Sequence, residues 1–131
     1  MRLSELEGHL KERLKNLLPD YVSGMNPVDF TFSQDAETVK KTIEIGVDSQ
    51  DVSSFIVVLQ AEILESYVDA LQSIDYKGKP IIACVAGKEF AMQGVIEMEK
   101  AGIPVFSTPE AVADALAIMY RHNKRVKRER A

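Results

Sequence analysis

The sequence has a single cysteine, Cys84, set in an apolar run. A disulfide within the chain is excluded, and a reducing cytoplasm is the expected location. As a nucleophile Cys84 would need exposure and a base, so core packing is expected instead. No apolar run approaches the roughly 20 residues that a membrane-spanning helix needs. The start, MRLSELEGHLKERL, alternates charge with leucine and does not read as a signal peptide. The two histidines, His9 and His122, fall on the terminal helical patterns, and no Cys/His cluster of metal-binding spacing exists. Neither G-x-G-x-x-G nor G-x-x-x-x-G-K-[ST] occurs, which removes both common phosphate loops of α/β proteins. Asp29 alone does not make the acidic cluster of a phosphoacceptor receiver.

Positive charge is scarce outside the last residues. The 131 residues carry 16 Lys and Arg against 20 Asp and Glu, a net charge of -4. Six of those cations and one acid lie within residues 121–130, so the remainder is strongly acidic. An acidic body argues against a nucleic-acid-binding core, and neither nucleic acid nor membrane is an expected partner. The basic end either meets an anionic partner or is a solvated helix end whose cations suit the helix dipole.

What is present is a regular alternation. Phe55 to Leu59 is an unbroken apolar run, read as a strand buried on both faces. Ile63, Leu64, Tyr67, Val68, Leu71 and Ile74 then recur at steps of three and four, so a helix follows almost without a loop. The handover falls at Gln60 and Ala61. In an open parallel sheet this is the carboxyl edge, where ligands bind and helix N-termini point free N–H groups.

The same grammar repeats on both sides. Leu3, Leu6, Leu10, Leu14 and Leu17 mark a first helix, with Ser4 and Glu7 at capping-box spacing and Pro19 as its stop. Pro27 opens a short strand, Val28 to Phe32. Ser33 or Asp35 caps a helix buried through Ala36, Val39 and Ile43. Ile81 to Val85 is a third strand ending in Ala86-Gly87-Lys88. A helix over about Glu89–Ala101 closes on Gly102. Ile103 to Phe106 is a fourth strand, and Thr108-Pro109-Glu110 starts the last helix. The fold class expected is α/β: a three-layer, flavodoxin-like parallel sheet of four strands, ordered 2-1-3-4, with an added N-terminal helix. Residues 1–19 form that helix, 20–122 the module and 123–131 a basic tail.

Four pieces occur together and in order: Asn26-Pro27-Val28-Asp29, Gly78-Lys79-Pro80, Gly102-Ile103-Pro104-Val105 and Thr108-Pro109-Glu110-Ala111-Val112. In this combination the chain, from roughly Leu17 to Tyr120, resembles the C-terminal flavodoxin-like ligase module of NDP-forming acyl-CoA synthetases. It is similar also to the carboxy-terminal domain of the succinyl-CoA synthetase β subunit. The resemblance implies an acid–thiol ligase in which a phosphohistidine shuttles a phosphoryl group between a CoA-binding half and an ATP-grasp half. Flavodoxin-like modules aim helix N-termini at that histidine.

On this resemblance Gln60, Ala61 and Glu62 are the phosphate-binding candidates. The same turn with Glu65 also reads simply as a helix start stabilised by first-turn acids, which would repel phosphate. Asn26, Asp29, Gly87 and Lys88 either line the same crevice or serve turn chemistry and a surface helix. The CoA-binding, phosphohistidine and ATP-grasp modules are missing from the sequence. CoA and nucleotide are therefore implied for an assembled complex, none being bound by this chain alone. Partner subunits carrying those modules are expected, and a homo-oligomer is an open alternative. A free-standing binder of CoA, nucleotide or anion that has lost the ligase role is the competing reading.

Overall fold

The computed structural model describes residues 2–30 and 35–131. Its elements are α1 (Gly8–Leu17), α2 (Ala36–Val47), β1 (Phe55–Gln60), α3 (Leu64–Gln72), β2 (Ile81–Ala86), α4 (Met92–Lys100), β3 (Val105–Phe106) and α5 (Pro109–Arg130). Two single 3₁₀ turns, Ala61–Ile63 and Lys88–Phe90, stand between β1 and α3 and between β2 and α4.

The three strands are parallel, in the order β1-β2-β3. β1 and β2 run level, from Phe55 against Ile81 to Gln60 against Ala86. This direct pairing corrects the expected 2-1-3-4 order, which would insert a strand between them. Consecutive parallel strands joined by one crossover through α3 sit side by side without a topological cost. Of the expected first strand, Val28–Phe30 joins no ladder among the described residues, and Thr31 and Phe32 lie outside the described residues, as does Ser33.

One core fills the face covered by α2, α3 and α4. Val39 and Ile43, Leu64 and Leu71, and Val95 and Met98 meet Val57, Leu59, Ala83, Val85 and Val105 there. Burying each such aliphatic side chain contributes roughly 1.5–3 kcal/mol. On the other face, among the described residues, α5 covers the sheet, with Val112 and Leu116 over Ile82 and Cys84. The cover is uneven. β2 is buried on both faces, whereas in β1 only Val57 and Leu59 are buried. The expectation that β1 is enclosed on both sides is thus corrected: α5 lies over β2 and β3, and among the described residues Ile56 and Val58 stay exposed.

α1 packs on the domain through Leu10 and Leu14, against Ile45 of α2. It starts later than the leucine stripe implies, and Leu3 is exposed. Ser4 and Glu7 do not cap each other. The Ser4 hydroxyl donates to the Asp51 carbonyl at 2.7 Å, and the Glu7 carboxylate accepts from the Ser49 hydroxyl at 2.7 Å and the Gln50 N–H at 3.1 Å. The local caps elsewhere hold. Asp35 accepts from the Thr38 N–H and Thr108 from the Ala111 N–H, and Gly102 ends α4 at φ 83°.

Candidate functional site

Gln60 is the last residue of β1, and the helical backbone starts at Ala61. Alternation puts its exposed side chain on the same sheet face as Ile56 and Val58. Ala61 packs against the core, while Glu62 points to solvent. No side chain caps the turn at Gln60, and none caps α3 at Ile63. The first N–H groups of this segment therefore retain the positive end of the dipole without a side-chain acceptor. Glu62 and Glu65 stand in its first turns and supply part of that complement themselves.

Level pairing of Gln60 with Ala86 brings the neighbouring turn alongside, and the two 3₁₀ turns touch. Gly87 turns the chain at φ 71°, where a side chain would be strained, and a Cβ there would also lie 3.3 Å from the Phe90 ring. Lys88 follows, half-buried, and its carbonyl accepts from the Ala91 N–H at 3.0 Å. Among the described residues no ion pair engages Glu62, Glu65, Lys88 or Glu89. Gln60, Ala61, Glu62, Gly87 and Lys88 thus share one edge.

Asn26 and Asp29 are placed differently. The Asn26 amide donates to the Ser4 carbonyl at 2.9 Å, on the segment that Ser4 ties to Asp51. That anchors it near the entry to β1, a strand's length from Gln60. Asp29 is exposed between Val28 and Phe30, which turn inward to the α1 core.

Apolar groups cluster at this edge, among them Ile63, which the helical stripe had placed in the core. Phe90 is 87% exposed, and Ile63 and Met92 are exposed beside it. The available signal was a phenylalanine outside the apolar stripe of the helix that follows. A second unflagged device is Lys79, within Gly78-Lys79-Pro80. Its ammonium donates to the carbonyls of Val47 at 2.8 Å and Ser49 at 2.6 Å, closing the C-terminus of α2.

No protein-family model matches the chain. It is 26% identical over 135 residues to the alpha subunit of an ADP-forming acetate–CoA ligase II from Pyrococcus furiosus, covering 96% of this chain and 29% of that one. It is similar to a module of NDP-forming acyl-CoA synthetases. Acetate–CoA ligase (ADP-forming) I of Archaeoglobus fulgidus matches at 25% identity over 118 residues, 90% of this chain and 17% of that protein. The chain accordingly spans less than a third of the curated relatives it matches. A crystal structure from Pyrococcus horikoshii aligns with TM-score 0.74 and 26% identity, over 88% of this chain and 28% of that one. The dinucleotide-forming acetyl-coenzyme A synthetase 1 of Ca. Korarchaeum cryptofilum, in complex with phosphate and ADP, aligns with TM-score 0.71 over 92% and 27%. At 20% identity that last likeness is one of fold.

Proposed function

We propose that this chain is a small subunit or module of an NDP-forming acyl-CoA synthetase, incomplete as a catalyst by itself. Its part is to present the start of α3 to a phosphohistidine on a partner chain and to help assemble the complex. The observation that carries this reading is the uncapped helical start at Gln60, level with the Gly87–Lys88 turn. The N–H groups of Ala61 and Glu62 and the Gln60 amide would donate to phosphoryl oxygens, with Lys88 adding positive charge across the edge. The covalent chemistry, the CoA and the nucleotide belong to CoA-binding, phosphohistidine and ATP-grasp modules on partner subunits. Phe90, with Ile63 and Met92, is the anchor a partner would bury in docking on this edge. A cytoplasmic setting follows from that assignment.

The test is reconstitution with a chain carrying those modules. Gln60→Ala should slow the assembled ligase about tenfold while leaving the urea midpoint of the isolated chain unchanged. Unaltered turnover, or no complex at micromolar concentration, would refute the reading.

Glu62 and Glu65 favour a second reading, a free-standing binder of CoA, nucleotide or anion that no longer serves a ligase, because two carboxylates at the turn disfavour a close phosphoryl group. Thermal stabilisation of the isolated chain by CoA, ADP or phosphate would select it.

A further inference from the structure

Ile56 pairs with Ile82 and Val58 with Cys84, so all four side chains leave the sheet on one face. Val112 and Leu116 of α5 cover Ile82 and Cys84. Ile56 and Val58 remain 48% and 73% exposed. Among the described residues the result is a trough floored by β1 and walled on one side by α5.

α5 itself is too long for the sheet it covers. It starts beside the carboxyl end of β3, runs back along β2, and buries nothing after Leu116. The overhang, residues 117–130, is about 21 Å long at 1.5 Å per residue. β1, six residues long, spans about 20 Å at 3.3 Å per residue. The surplus helix and β1 are therefore of similar length. They also match in charge. A helix laid in the trough antiparallel to α5 ends at the carboxyl edge, near Glu62 and Glu89, which among the described residues form no ion pair. The overhang ends in Lys127, Arg128 and Arg130, with Arg125 paired to Glu129 at 2.9 Å on the same helix.

We propose that the overhang occupies the trough of a second copy of this chain. A two-fold axis perpendicular to the sheet sets the two amino edges end to end. The two α5 helices then lie side by side and antiparallel, each over the other chain's Ile56 and Val58. Met119, His122 and Val126 fall on one face of the overhang at helical spacing and make the apolar contact. The stems of the flanking Lys and Arg residues extend that contact, and their heads point toward the acidic edge.

Light scattering on the purified full chain during size exclusion tests this. At micromolar concentration the expected mass is that of two chains. Val58→Lys, at a position already exposed, should leave the circular dichroism and thermal midpoint of the fold intact and weaken the dimer at least tenfold. Lys127→Glu with Arg128→Glu should do the same, as should 0.5 M salt to a lesser degree. A chain monomeric at these concentrations overturns the proposal. So does a dimer indifferent to Val58→Lys, or an Ile56–Val58 face that becomes protected only when a synthetase partner is added.

Discussion

The Ser49 hydroxyl donates to the Glu7 carboxylate at 2.7 Å, joining residues 42 apart in sequence. Ser49 is almost fully buried, and the same carboxylate accepts from the Gln50 N–H at 3.1 Å. Glu7 is also the residue preceding α1. The residue at the head of the N-terminal helix thus fastens that helix, through its side chain, to the loop entering the sheet.

This junction makes stability depend on acid. The backbone N–H of Glu7 itself, then the Ser49 hydroxyl, hold the Glu7 carboxyl below its ordinary 4.5. A carboxylate with a depressed folded pKa contributes stability that is present above its unfolded value and lost as pH falls through the folded one. Arg13 and Lys77 lower Asp48 in the same way. Glu7→Gln should therefore be less stable than the parent at pH 7, with the gap closing as pH drops below about 4.5. Urea midpoints taken from pH 7 to pH 3 would measure it; a gap independent of pH would show that the charge on Glu7 contributes nothing.

Lys79 gives a sharper expectation. Its two bonds satisfy carbonyls at the end of α2, where no helical partner remains. Lys79→Met keeps most of the stem and removes the donors. It should cost about 2 kcal/mol, the scale of charge-assisted bonds lost from partly buried acceptors. The denaturation slope should stay fixed while the midpoint falls.

Cys84 lies beneath α5, and burial pushes its thiol above the ordinary value, with the charge of Glu110 adding to the effect. Reaction with an aromatic disulfide reagent should be negligible in the native chain and should follow global unfolding as denaturant is added. Fast labelling without denaturant would mean that α5 lifts off the sheet on its own.

Which of these features the residues reveal in advance depends on how local their cause is. The handover at Gln60, the Asp35 and Thr108 caps and the glycine after α4 are each settled within four residues by hydrogen bonding and backbone preference. They read directly from sequence. The Ser4, Glu7 and Lys79 bonds join segments 30 or more residues apart, and periodicity carries no sign of them. A capping-box spacing was present, but tertiary partners claimed both side chains. The run from Phe55 to Leu59 looked enclosed because apolar residues fill both faces. Which face receives a helix is decided by where α5 returns, far along the chain. The candidate site divides in the same way: the turn holding Gln60, Ala61 and Glu62 was legible, and its meeting with Gly87 and Lys88 depends on strand register. Asn26 is placed elsewhere by its bond to Ser4.

β2 alternates between two cores, with Ala83 and Val85 facing α2, α3 and α4 and Ile82 and Cys84 facing α5. Neither half of the molecule can come apart without stripping one side of the strand on which the other half rests. A single six-residue segment thereby couples the halves, and the domain should melt as one unit, however thin its second layer.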